Sequence, residues 1–232
     1  MPKKIDRPVG PVVDPLPVGN VPDMRPLHGR WVRLEHVSVI EHAVQLFESF
    51  DGKDPDGGLW TYMGYGPFSS FEAFAEWIKD REAARDPWFY AFARRATGKA
   101  VGMGAFMRND AANGVIEIGH IWMSPELQRT REATEAVFLM MRYCFGDLGV
   151  RRLEWKCDAL NAPSRKAAER FGFTFEGIFR QHCIVKGRNR DTAWYAMLDK
   201  EWPKAHDAFE AWFKDSNFDA QGRQKAKLRV RA

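Results

Sequence analysis

Cysteine is scarce in this chain of 232 residues: Cys144, Cys157 and Cys183 are odd in number, far apart and without metal-ligand spacing. That argues against a disulfide-built scaffold or a thiolate metal site, and leaves free thiols in a reducing compartment as the expectation. Long apolar runs are missing as well. No stretch approaches the ~20 residues needed to span a bilayer, and the first twenty residues are proline-rich without the apolar centre of a signal peptide. The expectation is a soluble, cytoplasmic protein with no membrane partner. Excess charge of one sign is also lacking, because Lys225, Lys227, Arg229 and Arg231 alone account for the net +4. A balanced body lacks the broad positive field of non-specific nucleic-acid binding, so no such partner is expected. The tail itself reads as a solvated, frayed terminus.

What is present is material for a core: 45% of the residues are apolar and 13% aromatic, enough for one compact, enzyme-sized domain. Residues 1–26 form a proline-rich extended lead-in, 27–203 the domain, and 204–232 a C-terminal helix and basic tail. Trp31 to Val37 alternates as a strand does. Ser38 with Glu41, and Ser69 with Glu72, have capping-box spacing and open two helices. Trp88 to Arg94, Ala100 to Arg108 and Val115 to Met123 read as strands joined by hairpin signals at Thr97-Gly98-Lys99 and Asn113-Gly114. Thr130 to Leu148 is helical, with Ala133, Val137, Met140, Cys144 and Leu148 on one stripe. Arg152 to Ala159 alternates again, Leu153, Trp155 and Cys157 facing away from Glu154, Lys156 and Asp158. A short helix then runs from Pro163 to Gly172. Phe173 to Val185 and Thr192 to Leu198 form a final pair across the polar turn Lys186 to Asp191.

The segment Gln128-Arg129-Thr130-Arg131-Glu132-Ala133-Thr134 lies where a strand turns directly into a helix. Such a turn presents unpaired amides and the positive end of the helix dipole, which is how proteins hold phosphates. Arginine and hydroxyl donors surround those amides here.

The order of elements, with this turn after the fourth long strand, resembles the GNAT acyltransferase fold, an α+β class with a mostly antiparallel central sheet. Leu34-Glu35, Glu117-Ile118-Gly119-His120, Asn161-Ala162-Pro163-Ser164-Arg165, Glu169-Arg170-Phe171-Gly172-Phe173, Glu176-Gly177 and Arg180 are similar to the RimJ/RimL-type N-acetyltransferase branch. The resemblance covers roughly residues 27 to 203. It implies acetyl-CoA as co-substrate, no metal, and transfer to a primary amine of a small molecule or a peptide N-terminus. It further implies pantetheine contacts from the backbone of Ile121, Trp122 and Met123, a pyrophosphate site at Gln128 to Thr134, and cofactor contacts at Asn161 and Ser164. Arg131 stands where the family pattern has its first glycine, so the residue needs an ordinary helical or bridge conformation. Its guanidinium either binds phosphate directly or marks a weakened loop. Ala168 occupies the position of a tyrosine acid found in many GNAT enzymes, leaving Ser164, a water, or no acid in that role.

Attack on a thioester needs an uncharged amine, hence a base. Glu117, inside an apolar strand, is the candidate. Its alternative is a strand glutamate paired with a basic neighbour. His120, three residues on, points to the opposite face unless a bulge intervenes; His182 and Asp191 read as structural. Trp60, Tyr62, Tyr65 and Phe68 either line an acceptor groove or belong to the core. Cys157 and Cys183 read as small buried hydrophobes rather than acyl carriers. Three functional alternatives stand beside a small-amine acetyltransferase: a protein N-terminal acetyltransferase, a non-catalytic CoA-binding regulator, and a tail-mediated nucleic-acid binder. The oligomeric state is open, with a homodimer compatible.

Overall fold

The computed structural model describes residues 7–230, so the first six residues of the lead-in and Arg231 of the tail lie outside it. Eight strands form one sheet: β1 (Leu27–His28), β2 (Val32–His36), β3 (Trp88–Arg94), β4 (Ala100–Asp110), β5 (Val115–Met123), β6 (Arg152–Asp158), β7 (Thr174–Val185) and β8 (Arg188–Leu198). They lie in the order β1-β2-β3-β4-β5-β6-β8-β7. Every pairing is antiparallel except β5 with β6.

The strand-period alternation expected from the sequence splits this sheet into two faces. Tyr90, Phe92, Phe106, Ile116, Ile118 and Leu153 point into a core shared with helices α3 (Arg131–Arg142), α4 (Ala162–Arg170) and α5 (Trp202–Phe213). Phe89, Ala91, Met103 and Ala105 point the other way, against α1 (Val39–Phe50) and α2 (Phe71–Ala83). Adjacent residues of one strand thus serve opposite cores, as the pleat requires.

Local signals account for most of the boundaries. Ser38 caps α1, its side chain accepting from the Glu41 amide. The second cap is one residue later than expected: Ser70, not Ser69, accepts from the Ala73 amide. The α3 stripe is buried as predicted, but α-geometry ends at Arg142 and a π turn, Tyr143–Asp147, completes the element. Gly149 follows at φ 67°. The turn expected over Lys186 to Asp191 is tighter, since β8 resumes at Arg188 and pairs back to Asp158 through Thr192.

Both ends of the described chain return to the domain. Asn20 donates to the Leu148 carbonyl and the Asp23 amide to the Tyr143 hydroxyl, so the lead-in lies across the π turn that follows α3. The tail is not frayed: Leu228 and Val230 are buried in the core beside α5, and the reason is apolar residues alternating with the basic ones. No described helix is long and apolar enough to cross a membrane.

Candidate active site

β5 and β6 are the two strands that separate. They pair in parallel only from Val115↔Arg152 to Glu117↔Glu154, whereas β5 stays paired with β4 as far as Met123. Beyond Glu117 the β6-side edge of β5, including Ile121, Trp122 and Met123, carries no strand partner, and a gap opens toward α3. A β-bulge helps the strand turn away. The β4–β5 register shifts between Met103 and Ala105, opposite His120, which adopts φ 51°.

The gap leads to the turn before α3. Thr130 caps that helix, accepting from the Ala133 amide at 3.1 Å and donating to the Leu127 carbonyl. The left-handed residue of the turn is Arg129, at φ 62°, while Arg131 is the first helical residue and has no positive φ. A glycine is therefore not required at 131. The amides of Arg129, Arg131 and Glu132 donate to no acceptor among the described residues. Three unpartnered amides at a helix N-terminus fit a pyrophosphate. Side chains contribute differently. Gln128 donates to the Met123 carbonyl at 3.0 Å, and the Arg131 guanidinium lies 4.0 Å from the Trp31 ring centroid and 4.7 Å from that of Phe218, with Asp215 at 3.6 Å. Thr134 is buried and accepts from Arg170 Nη1 at 3.2 Å.

On the α4 side, Asn161 acts as N-cap, accepting from the Ser164 amide. The Ser164 hydroxyl accepts from Trp155 Nε1 at 3.0 Å. Burial pushes the Cys157 thiol up. Ala168 is fully buried and faces the core.

Glu117 sits on the opposite face of β5 and is 4% exposed. Arg108 Nη1 approaches its Oε2 at 2.8 Å and Lys156 Nζ the same oxygen at 2.9 Å, while Oε1 accepts from no described donor. The paired alternative and an available carboxylate oxygen are thus both realised. Oε1 lies beside Gly119, where a Cβ would come within 3.3 Å of it and within 2.8 Å of Met107 Sδ. A second bulge, between Met107 and Asp110, sets Arg108 at φ 50°. Lys156 continues to Glu154 at 2.6 Å and lies 3.8 Å from the Trp194 ring centroid; Arg152 joins Glu154 to Glu176.

The bulge brings His120 toward the acceptor segment: its ring stacks on Tyr65 at 5.7 Å and meets Phe89 at 5.1 Å. Burial first, then Arg81, Arg108 and Arg190, bring its imidazole down to about 4, so it is neutral at neutral pH. Of the aromatic segment, Trp60 is core and Phe68 packs on Trp60, Phe74 and Trp77. Tyr65 has a buried hydroxyl with no partner among the described residues, and burial holds it as the phenol. Tyr62 donates to the Leu160 carbonyl at 3.2 Å. Lys186, at the β7–β8 tip, donates to the Trp60 carbonyl at 2.8 Å. These two bonds tie the segment between α1 and α2 to the corner between β6 and α4 and to the β7–β8 tip. His182 contacts Thr192, and Asp191 accepts from the Gln181 amide and Asn189, both in supporting positions.

Sequence reasoning missed Arg108, Lys156, Arg190 and Lys186. The signal for Lys156 was available, since Glu154 and Lys156 alternate against an apolar face on a strand whose neighbour carries Glu117. Among the described residues, no group of three or more His, Cys, Asp and Glu could hold a metal ion.

A model of the acetyltransferase (GNAT) domain matches residues 32–174. The crystal structure of a GCN5-related N-acetyltransferase from Brucella melitensis is similar at a TM-score of 0.86 and 47% identity, covering 89% of this chain and 93% of that one. The uncharacterized N-acetyltransferase p20 of Bacillus licheniformis is 28% identical over 156 residues, 64% of this chain and 84% of p20. YdaF of Bacillus subtilis, provisionally named a ribosomal N-acetyltransferase, is 31% identical over 105 residues; that match takes in 45% of this chain and spans 57% of YdaF.

Proposed function

The chain belongs to the acetyltransferase (GNAT) domain family, and from that premise we propose that it transfers the acetyl group of acetyl-CoA to the primary amine of a small molecule, by direct attack in a ternary complex. The observation that carries this reading is the gap between β5 and β6, which ends on the three unpartnered amides of Arg129, Arg131 and Glu132. Acetyl-CoA supplies an activated thioester. The chain supplies placement: backbone of Ile121 to Met123 along the pantetheine arm, the α3 amides at the pyrophosphate, and Asn161 and Ser164 on the far wall.

Glu117 takes the acceptor ammonium's proton through Oε1, directly or through a water, while Arg108 and Lys156 fix the carboxylate by Oε2. The freed nitrogen lone pair forms the C–N bond, the C–S bond breaks, CoA leaves as thiolate, and the second proton, which the nitrogen loses once bonded to the carbonyl carbon, goes to that thiolate to give the CoA thiol. A thiol's pKa of about 8.5 makes that leaving group acceptable near neutral pH, so an acid at position 168 is dispensable. Ser164 supplies a hydroxyl on that wall.

The bridges from Tyr62 to Leu160 and from Lys186 to Trp60 support a small acceptor over an extended peptide backbone. YdaF's name supports the peptide reading, so a panel should include both small amines and N-terminal peptides. The test of the base is Glu117→Gln, with kcat expected to fall roughly 100-fold or more, as loss of a general base does, and KM for acetyl-CoA nearly unchanged. Full turnover of this variant across pH would remove Glu117 from the mechanism.

A further inference from the structure

Cationic side chains from four elements lie on the sheet face that carries Glu117: Arg81 of α2, Arg108 of β4, Lys156 of β6 and Arg190 of β8. The carboxylates of that face are already engaged. Glu117 is held by Arg108 and Lys156, Glu154 by Lys156 and Arg152, and Glu176 by Arg152. Arg190 makes no ion pair within the described residues. Its Nε donates to the buried Thr192 hydroxyl at 3.1 Å, which is itself 2.9 Å from His182 Nδ1, so the guanidinium is fixed with its terminal nitrogens uncommitted.

Arg190, Thr192 and Trp194 alternate on one face of β8, and Lys156 lies 3.8 Å from the Trp194 ring centroid, so the Arg190 guanidinium shares the sheet face of the Glu117–Lys156 pair. Arg81, 4.9 Å from the Trp77 ring centroid and 5.9 Å from that of Phe89, is placed beside His120, and its ion pair is with exposed Asp80 at 3.5 Å. Arg108, Lys156 and Arg152 balance Glu117, Glu154 and Glu176, and Arg81 pairs with Asp80, so the charge of that face left without an ion-pair partner among the described residues is Arg190, a place for an anion.

We propose that the acceptor amine carries a carboxylate, as an amino acid does, and that Arg190, supported by Arg81, receives it. This rests on the acetyl-transfer reading. The planar guanidinium fork matches the two oxygens of a carboxylate. The same positive charge disfavours the ammonium form of the acceptor and so eases its loss of a proton to Glu117. The Tyr62 and Lys186 bonds favour an acceptor of small size.

The test compares amino acids with their C-terminal amides as acceptors, on the wild type, Arg190→Gln and Arg190→Lys. A charge-assisted pair predicts that the acid exceeds its amide by roughly 10-fold or more in kcat/KM. Arg190→Gln should abolish that preference by raising KM for the acid, change the amide by less than about 2-fold, and be partly rescued by Arg190→Lys. Equal rates for acid and amide on the wild type, or an equal loss of both in Arg190→Gln, would overturn the proposal. Calorimetric binding of the same amino acids, without acetyl-CoA, separates the two readings. Binding that needs Arg190 but gives no turnover contradicts acetyl transfer alone, and no preference for acid over amide in binding contradicts the carboxylate site.

Discussion

His120 shows how a single residue departs from strand arithmetic. Counting by twos from Glu117 places it on the far face, yet the bulge opposite Gly104 turns it onto Tyr65 and Phe89. A left-handed φ at histidine leaves no mark in the hydrophobic pattern, so the sequence could pose the exception but not decide it. The environment has a measurable consequence. With its pKa brought from 6.5 to about 4, His120 binds its proton more weakly folded than unfolded, so stability is full above the unfolded value and falls as pH drops toward the folded one. The loss should reach up to about 3 kcal/mol between roughly pH 6.5 and 4. His120→Asn should flatten that part of a denaturation-against-pH profile; an unchanged slope would mean the imidazole is not buried among arginines.

Elements were more legible than residues because they rest on periodicity and caps that lie close together in sequence. The α3 stripe, the β6 alternation and the Asn161 cap all follow from spacings of two to four residues. The partners of Glu117 lie 9 and 39 positions away and depend on strand order, which alternation does not encode. Arg131 is the same lesson at the start of α3. Sequence left its guanidinium either on the pyrophosphate or as the mark of a weakened loop; the fold sends its side chain between Trp31 and Phe218, from opposite ends of the chain. Arg131→Gln should therefore loosen the C-terminal segment, costing about 1–2 kcal/mol from two cation–π contacts. Faster proteolysis after residue 213, with CoA affinity changed less than threefold, is the expected result, whereas a large loss of affinity would return the guanidinium to the phosphate.

At the scale of the molecule, the domain extends beyond the segment that resembles the family. Ala205, Phe209, Trp212, Leu228 and Val230 share one core with the sheet, and Gly172, at φ 93°, leaves the space that Val230 fills. Composition alone suggested a frayed basic tail, because charge count outweighs two apolar residues until the surface that receives them is known. Truncation after Asn217 should cost about 3 kcal/mol or more for the lost burial of Leu228 and Val230, lowering the thermal midpoint by roughly 6–12 °C. A truncated protein that melts with the full chain would show the tail to be ornamental.

The gap, the amides of α3 and the anchored carboxylate of Glu117 together make one claim, that acetyl passes from CoA to an amine without resting on the protein. One reaction followed by mass spectrometry tests it most directly, with acetyl-CoA and an amine panel, reading acetylated amine, free CoA thiol and intact protein together. The account predicts amine product and thiol in equal amounts and an unmodified protein when the amine is left out. Acetyl on the protein before acceptor is added, or CoA binding without thiol release on any amine, would contradict it.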